Sequence, residues 1–154
     1  AAGTGMIHAF NFSLGVNLFL RLTRIAGKMA DALGEYDVHI REAHHRHKVD
    51  HPSGTAITLA DILIAELARK ETWSATLSDG APHPQVLYIA SERVGETAGT
   101  HLVGLEGPDD RIELRHEARS RAGFARGAVA AAEWIQGRSG VFTLDDMLAE
   151  TFTS

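Results

Sequence analysis

Three imidazoles, a guanidinium and an ammonium fall within five consecutive residues, His44-His45-Arg46-His47-Lys48, of a chain of 154 residues. Imidazole gains and loses its proton near neutral pH, which suits proton donation. Lysine and arginine supply fixed positive charge for a carboxylate or phosphate. A few residues on, Pro52-Ser53-Gly54-Thr55 has the composition of a helix start, with Ser53 or Thr55 as N-cap and Gly54 letting a ligand come close to the backbone. The N–H groups of such a turn, at the positive end of the helix dipole, attract anions. Cations on one side and bare amides on the other describe a pocket for a small polyanion with a proton donor beside it.

Simpler readings compete with this one. Close histidines can hold a metal, but His44 and His47 lack the helical His-x-x-x-His register, the chain has no cysteine, and Lys48 would repel a cation, so no metal site is expected. Arg46 and His47 read as structural or solvent-facing. Ser53 as a plain cap is compatible with Gly54 and Thr55 presenting their amides. Asp50 stands either to orient Lys48 or a histidine, or to begin the cap.

Elements must position these groups. An apolar-alternating run over residues 36–40 reads as a strand that ends in the polar loop, and apolar residues Leu59, Ile62, Leu63 and Leu67 predict a one-faced helix over 57–69. Upstream, Met6-Ile7-His8-Ala9 reads as the end of a short strand. Ser13 is a candidate N-cap for a helix that runs to about Leu33, with Leu14, Leu18, Leu22, Ile25, Met29 and Leu33 in one stripe and Gly34 as its stop. Downstream, residues 78–84 form a turn-rich loop, and strands are predicted over 86–91, 100–106 and 111–116, joined by two hairpin-like connections. With residues 37–42 they make a sheet of at least four strands. A helix over 123–136 and a short closing element over 141–148 complete an α+β chain.

Composition sets bounds on function. The hydrophobic fraction of 44% and charged fraction of 23% are ordinary for a globular protein. Fifteen basic residues against 20 acidic ones, a net charge of −5, leave no electrostatic footprint for nucleic acid. No apolar run approaches a membrane span, and no signal peptide is visible. With no cysteine there is no disulfide, which suits a cytoplasmic protein.

The stretch from Glu42 to Ala56, Glu-Ala-His-His-Arg-His-Lys-Val-Asp-His-Pro-Ser-Gly-Thr-Ala, resembles the signature of the dihydrodipicolinate reductase family. It departs from that signature at His51, where the family usually has Ala. Asn11-Phe12-Ser13-Leu14-Gly15-Val16-Asn17 resembles the family's passage from its dinucleotide domain into its substrate domain. Arg93-Val94-Gly95 with Gly99-Thr100-His101 looks like its Arg-x-Gly…Gly-x-His hairpin, and residues 116–128 look like its last strand and helix. The likeness covers about residues 9–150. A second departure lies in 78–84, where relatives tend to carry an arginine-containing loop.

The resemblance implies a fold and a set of roles. The fold is a mixed sheet with helices on one face, the other face serving oligomerisation in a homotetramer. Residues 1–8 would be a remnant or linker, and 9–154 the C-terminal substrate-binding and tetramerisation domain. The family's N-terminal Rossmann domain would lie outside these residues, since Gly3-Thr4-Gly5 lacks the strand and spacing of a phosphate turn. The activity is reduction of a cyclic unsaturated dicarboxylate by NADH or NADPH on the diaminopimelate and lysine pathway. His44 matches the proton donor, and Lys48 a second donor that also holds a carboxylate. His45, Ser53, Gly54 and Thr55 match substrate-binding groups, and Ala9, Phe10, Asn11 and Phe12 the near wall of the cofactor. On residues alone, the last four read as a helix cap with a buried Phe, and His101 and His116 as structural strand residues. The alternative to half of a reductase is a stand-alone dicarboxylate-binding or assembly module without redox activity.

Overall fold

Side chains alternate across a strand, and from residue 37 to 44 the chain alternates between exposed and buried without a break. The central strand therefore does not stop at Glu42. In the computed structural model, which describes residues 3–77 and 79–153, it runs on to His44 and carries Glu42 and His44 on the same face as Val38 and Ile40. The elements in chain order are β1 (Gly5–His8), α1 (Leu14–Leu33), β2 (Asp37–His44), α2 (Gly54–Glu66), β3 (Thr72–Ser74), β4 (Val86–Arg93), β5 (Thr100–Glu106), β6 (Arg111–Glu117), α3 (Ala122–Trp134), β7 (Gly140–Thr143) and α4 (Leu144–Thr153).

The chain divides into two packed units, one from Phe19 to Arg119 and one made of the chain before Phe19 and after Arg119. The first holds a five-stranded mixed sheet in the order β3-β4-β2-β5-β6. β2 is parallel to β4 and antiparallel to β5, and β5 and β6 form the antiparallel hairpin expected of them. The connection from β4 to β5 is not a hairpin. β2 lies between the two strands, so residues 94–99 cross its end, a span of two strand spacings or about 10 Å. Gly95 and Gly99 take positive φ values of 53° and 151° on the way, which side-chain-bearing residues rarely adopt. β3 was absent from the sequence reading because three residues at a helix exit carry too little alternation to announce a strand.

One face of this sheet is covered by helices. Val38, Ile40, Leu87, Ile89, Val103 and Leu105 meet Phe19 and Ala30 of α1 and Ala56, Leu59, Ala60 and Leu63 of α2, all buried, with Leu67 beyond the end of α2. Each fully buried Leu or Ile contributes about 1.5–3 kcal/mol by leaving water. α2 begins three residues earlier than periodicity suggested because Ser53 caps it, its Oγ accepting from the N–H of Ala56. α1 spans the predicted residues, but the stripe of large apolar residues is its outer one: Leu22, Ile25, Met29 and Leu33 are exposed. The inner face is Phe19, Thr23, Gly27 and Ala30, small enough to bring the helix close, since a Cβ on Gly27 would come within 3.2 Å of Leu63.

The other face of the sheet carries alternating charges, with Arg41 paired to Glu92 and Arg115 to Glu117. Buried Lys70 ties the loop before β4 to β2, pairing with Asp37 at 2.7 Å and donating to the carbonyls of Pro84 and Val86. Of the turn-rich loop expected over 78–84, Ser78 lies outside the described residues.

The second unit holds β1 parallel to β7, with α3 and α4. Its core is Ala131, Leu144, Met147 and Leu148, with Ile7, Ala9, Phe12 and Trp134 packed against them. The segment 1–8, expected as a remnant or linker, thus contributes a paired strand, Gly5–His8. Gly127 of α3 faces the backbone of Phe12 so closely that a Cβ would meet the Phe12 carbonyl oxygen.

Candidate functional site

All strands of the larger sheet except the short β3 change character at the same level. On the helix-covered face Val38 and Ile40 give way to Glu42 and His44, Leu87 and Ile89 to Ser91 and Arg93, Leu105 and Val103 to His101, and Leu114 to His116. The registers align these changes: Glu42 lies opposite Ser91 on one side and His101 on the other, His44 opposite Arg93, and His101 opposite His116. The apolar core therefore ends in a polar layer.

Glu42 is the hub of that layer. It is 2% exposed, and both its oxygens are engaged. Oε2 lies against Nδ1 of His44. Oε1 accepts from Arg93 Nη2 at 2.8 Å and from the Ser53 N–H at 3.3 Å. Burial alone would raise the Glu42 carboxyl; hydrogen bonds from His44 and Arg93 outweigh it and hold the group well below the usual carboxylate range. Arg93 also donates to the carbonyl of Asp50 at 2.6 Å, tying the signature loop to the sheet.

His44 is 8% exposed, its ring edge-on to that of His101 with centroids 5.1 Å apart. A Cβ on Gly99 would come within 3.1 Å of His44 Nε2, so the glycine leaves the imidazole its room. His101 Nε2 meets Ser53 Oγ at 3.1 Å. Burial first, and then the neighbouring charge of His44, push His101 down to about 4, so it is neutral at physiological pH. Burial likewise lowers His116.

The remaining signature residues lie on the loop from His45 to Pro52. Lys48 Nζ donates to both oxygens of Asp50, at 2.8 and 2.9 Å, and this bond holds the Asp50 carboxyl below its ordinary value. Asp50 thus orients Lys48. The rings of His45 and His47 lie tilted to each other with centroids 6.3 Å apart, and Arg46 pairs with exposed Glu96. Gly54 and Thr55 form the first turn of α2, where helix geometry leaves N–H groups without intrahelical partners.

Ala9, Phe10, Asn11 and Phe12 belong to the other unit. Asn11 Oδ1 accepts from the N–H of Ser13, whose own Oγ caps α1 by accepting from the Val16 N–H at 3.4 Å, and Ala9 and Phe12 pack into that unit's core while Phe10 is 70% exposed.

The sequence reading gave no role to Glu42 or Arg93 and treated His101 as structural. The i, i+2 spacing of Glu42 and His44 on an alternating strand was the available signal, obscured by placing His44 in the loop after the strand. Glu42, His44 and His101 also offer one ligand atom each within 4.8 Å of one another. That is a spacing a cation can use, although Arg93 already pairs with Glu42 Oε1 and Ser53 with His101 Nε2.

By its fold the larger unit is an α+β domain with a buried carboxylate–imidazole contact beside a capped helix start. The chain matches the family model described as dihydrodipicolinate reductase, C-terminus, over residues 15–148, and it belongs to that family. It is 42% identical to 4-hydroxy-tetrahydrodipicolinate reductase of Christiangramia forsetii, covering 97% of this chain and 61% of that protein. It is 43% identical to the reductase of the same name of Methanosarcina acetivorans, over 90% of this chain and 51% of that one. Among solved structures, a dipicolinate-bound dihydrodipicolinate reductase from Paenisporosarcina sp. TG-14 shares the fold, with a TM-score of 0.70 at 24% identity over 92% of this chain and 53% of that one. The chain thus spans a little over half the length of these relatives, and no helix among the described residues is long and apolar enough to cross a membrane.

Proposed function

We propose that this chain is the substrate-binding, proton-donating half of an NAD(P)H-dependent reductase acting on a cyclic unsaturated dicarboxylate in lysine and diaminopimelate biosynthesis. The observation that carries the reading is the buried Glu42–His44 contact sharing one carboxylate with the Ser53 amide at the start of α2. A proton donor and an anion-binding helix start are thereby held by one group. Lys48, oriented by Asp50, supplies the positive counterpart to one substrate carboxylate, and the first-turn amides of Gly54 and Thr55 that to the other, with His45 and Ser53 completing the contacts. The nicotinamide, when bound, supplies the hydride. His44 then delivers a proton to the centre where negative charge develops, with Lys48 as second donor. Phe10 fits an apolar contact to the cofactor, since its ring is exposed, whereas Ala9, Asn11 and Phe12 are engaged in the cap and core of their own unit and would act through backbone.

The rest of the cofactor's binding surface is assigned to a Rossmann domain outside this chain, so the isolated chain is expected to bind without turning over. Residues 9–154 are assigned to the substrate-binding and tetramerisation domain. The charged sheet face, with its row of Arg–Glu pairs, is assigned to contact between copies of the chain in a homotetramer.

Calorimetric titration with pyridine-2,6-dicarboxylate, a planar mimic of the substrate class, tests the reading. Wild type is expected to bind, Lys48→Ala to lose on the order of tenfold to a hundredfold in affinity, as removal of a charge-assisted hydrogen bond requires, and His44→Ala to lose less. A folded wild type that does not bind, or a Lys48→Ala variant that binds as well as wild type, contradicts it and leaves the chain an assembly module.

A further inference from the structure

We propose that Glu42 is a positioning residue: through Oε2 it fixes neutral His44 as the Nδ1–H tautomer, which makes Nε2 the nitrogen that gains and delivers the proton. The inference rests on the reading of His44 as proton donor and adds to it the group that selects the donating atom.

The argument follows from hydrogen-bond inventory. An ionised carboxylate only accepts, and both oxygens of Glu42 are occupied, Oε1 by Arg93 and the Ser53 N–H and Oε2 by His44 Nδ1. A neutral imidazole carries one hydrogen, and a nitrogen facing an acceptor-only atom must be the one that carries it. His44 Nδ1 is therefore N–H in both protonation states, and only Nε2, which lies by Gly99, changes. When Nε2–H passes its proton to the substrate, the N–H bond breaks, its electron pair stays on Nε2, and imidazolium becomes neutral imidazole. Glu42 and its partners need not move, and solvent restores the proton. The guanidinium of Arg93, 2.8 Å from Oε1, balances the carboxylate throughout. His101, ring-to-ring with His44, is turned to Ser53 and does not compete for Oε2.

Glu42→Gln separates this role from mere packing. Glutamine keeps the shape but has one oxygen, and two donors, the Arg93 guanidinium and the Ser53 amide, claim it. Its NH2 then faces His44 Nδ1, which must accept, so the hydrogen moves to Nε2. Nitrogen-15 spectra of the chain, recorded without ligand where His44 is neutral, read the tautomer directly. Wild type is expected to show mainly Nδ1–H, and Glu42→Gln a shift toward Nε2–H of about tenfold or more in the tautomer ratio, the effect of one charge-assisted hydrogen bond. The same tautomer in both proteins overturns the proposal. An Nε2–H majority in wild type overturns it without any variant, so a Gln variant that fails to fold does not shield it. Because no ligand is present, failure here is distinct from failure to bind the dicarboxylate.

Discussion

Arg93→Ala is expected to cost about 3 kcal/mol of folding stability, the loss typical when one partner of a buried ion pair is removed. The Glu42 side chain is fully buried, and Arg93 supplies the guanidinium that balances it. Without Arg93, Glu42 must either remain charged against His44 and the Ser53 amide alone or take up a proton, and both are costly in the interior. Arg93 also holds the carbonyl of Asp50, so the loop that carries Lys48 loses its tie to the sheet in the same step. Urea unfolding measures the loss as a fall in midpoint of about 1 to 2 M. Glu42→Gln placed on the Arg93→Ala background is expected to recover part of it, because a buried amide costs less than a buried unpaired charge. A loss below about 1 kcal/mol for Arg93→Ala, the range of an exposed pair, would mean that the polar layer is not organised by Glu42.

The second large effect is acid destabilisation above the range where carboxylates titrate. His101 is held neutral by burial, with its titration lowered from 6.5 to about 4. Between those values the unfolded chain binds a proton at this residue that the folded chain refuses, so stability rises with pH across the window. The contribution is complete above 6.5 and disappears as pH falls toward 4. It amounts to about 3 kcal/mol at most. His116, lowered by burial as well, adds with the same sign. Glu42 acts in the same direction at lower pH, because its depressed carboxyl stabilises the fold above the ordinary carboxylate range and that stabilisation is lost on acidification. Urea midpoints measured from pH 7 down to 4 are expected to fall steadily, and His101→Gln to flatten much of that slope. A midpoint independent of pH above 5 in wild type would contradict the assignment of His101 as a neutral buried residue.

Much of this was legible in the chain because local chemistry and tertiary structure agree. Ser53 before an apolar run announced the start of α2, and β5 spans the residues its alternation predicted. The cation-rich run beside the helix start gave the elements of an anion site before any fold was known. What was hidden is non-local. Nothing in residues 94–99 distinguishes a tight hairpin from a connection that crosses another strand, because the insertion of β2 between β4 and β5 is decided by the burial of Val38 and Ile40 on both sides. The stripe from Leu14 to Leu33 is correctly helical, but which face a helix buries depends on what it meets, and α1 uses Phe19, Thr23, Gly27 and Ala30 to approach α2 and the sheet closely. The polar layer is spread over four strands. Each contributes one or two residues, and only the registers bring Glu42, Arg93 and His101 around His44.

The central claim, that the loop from His44 and the start of α2 together hold a small dicarboxylate, is tested most directly by amide spectra of the nitrogen-15-labelled chain with and without pyridine-2,6-dicarboxylate. The predicted result is that the largest shifts fall on Gly54 and Thr55 and on the loop at His45 and Lys48, with the His44 ring responding beside them. Binding whose shifts leave Gly54 and Thr55 unmoved and gather elsewhere in the chain would contradict it.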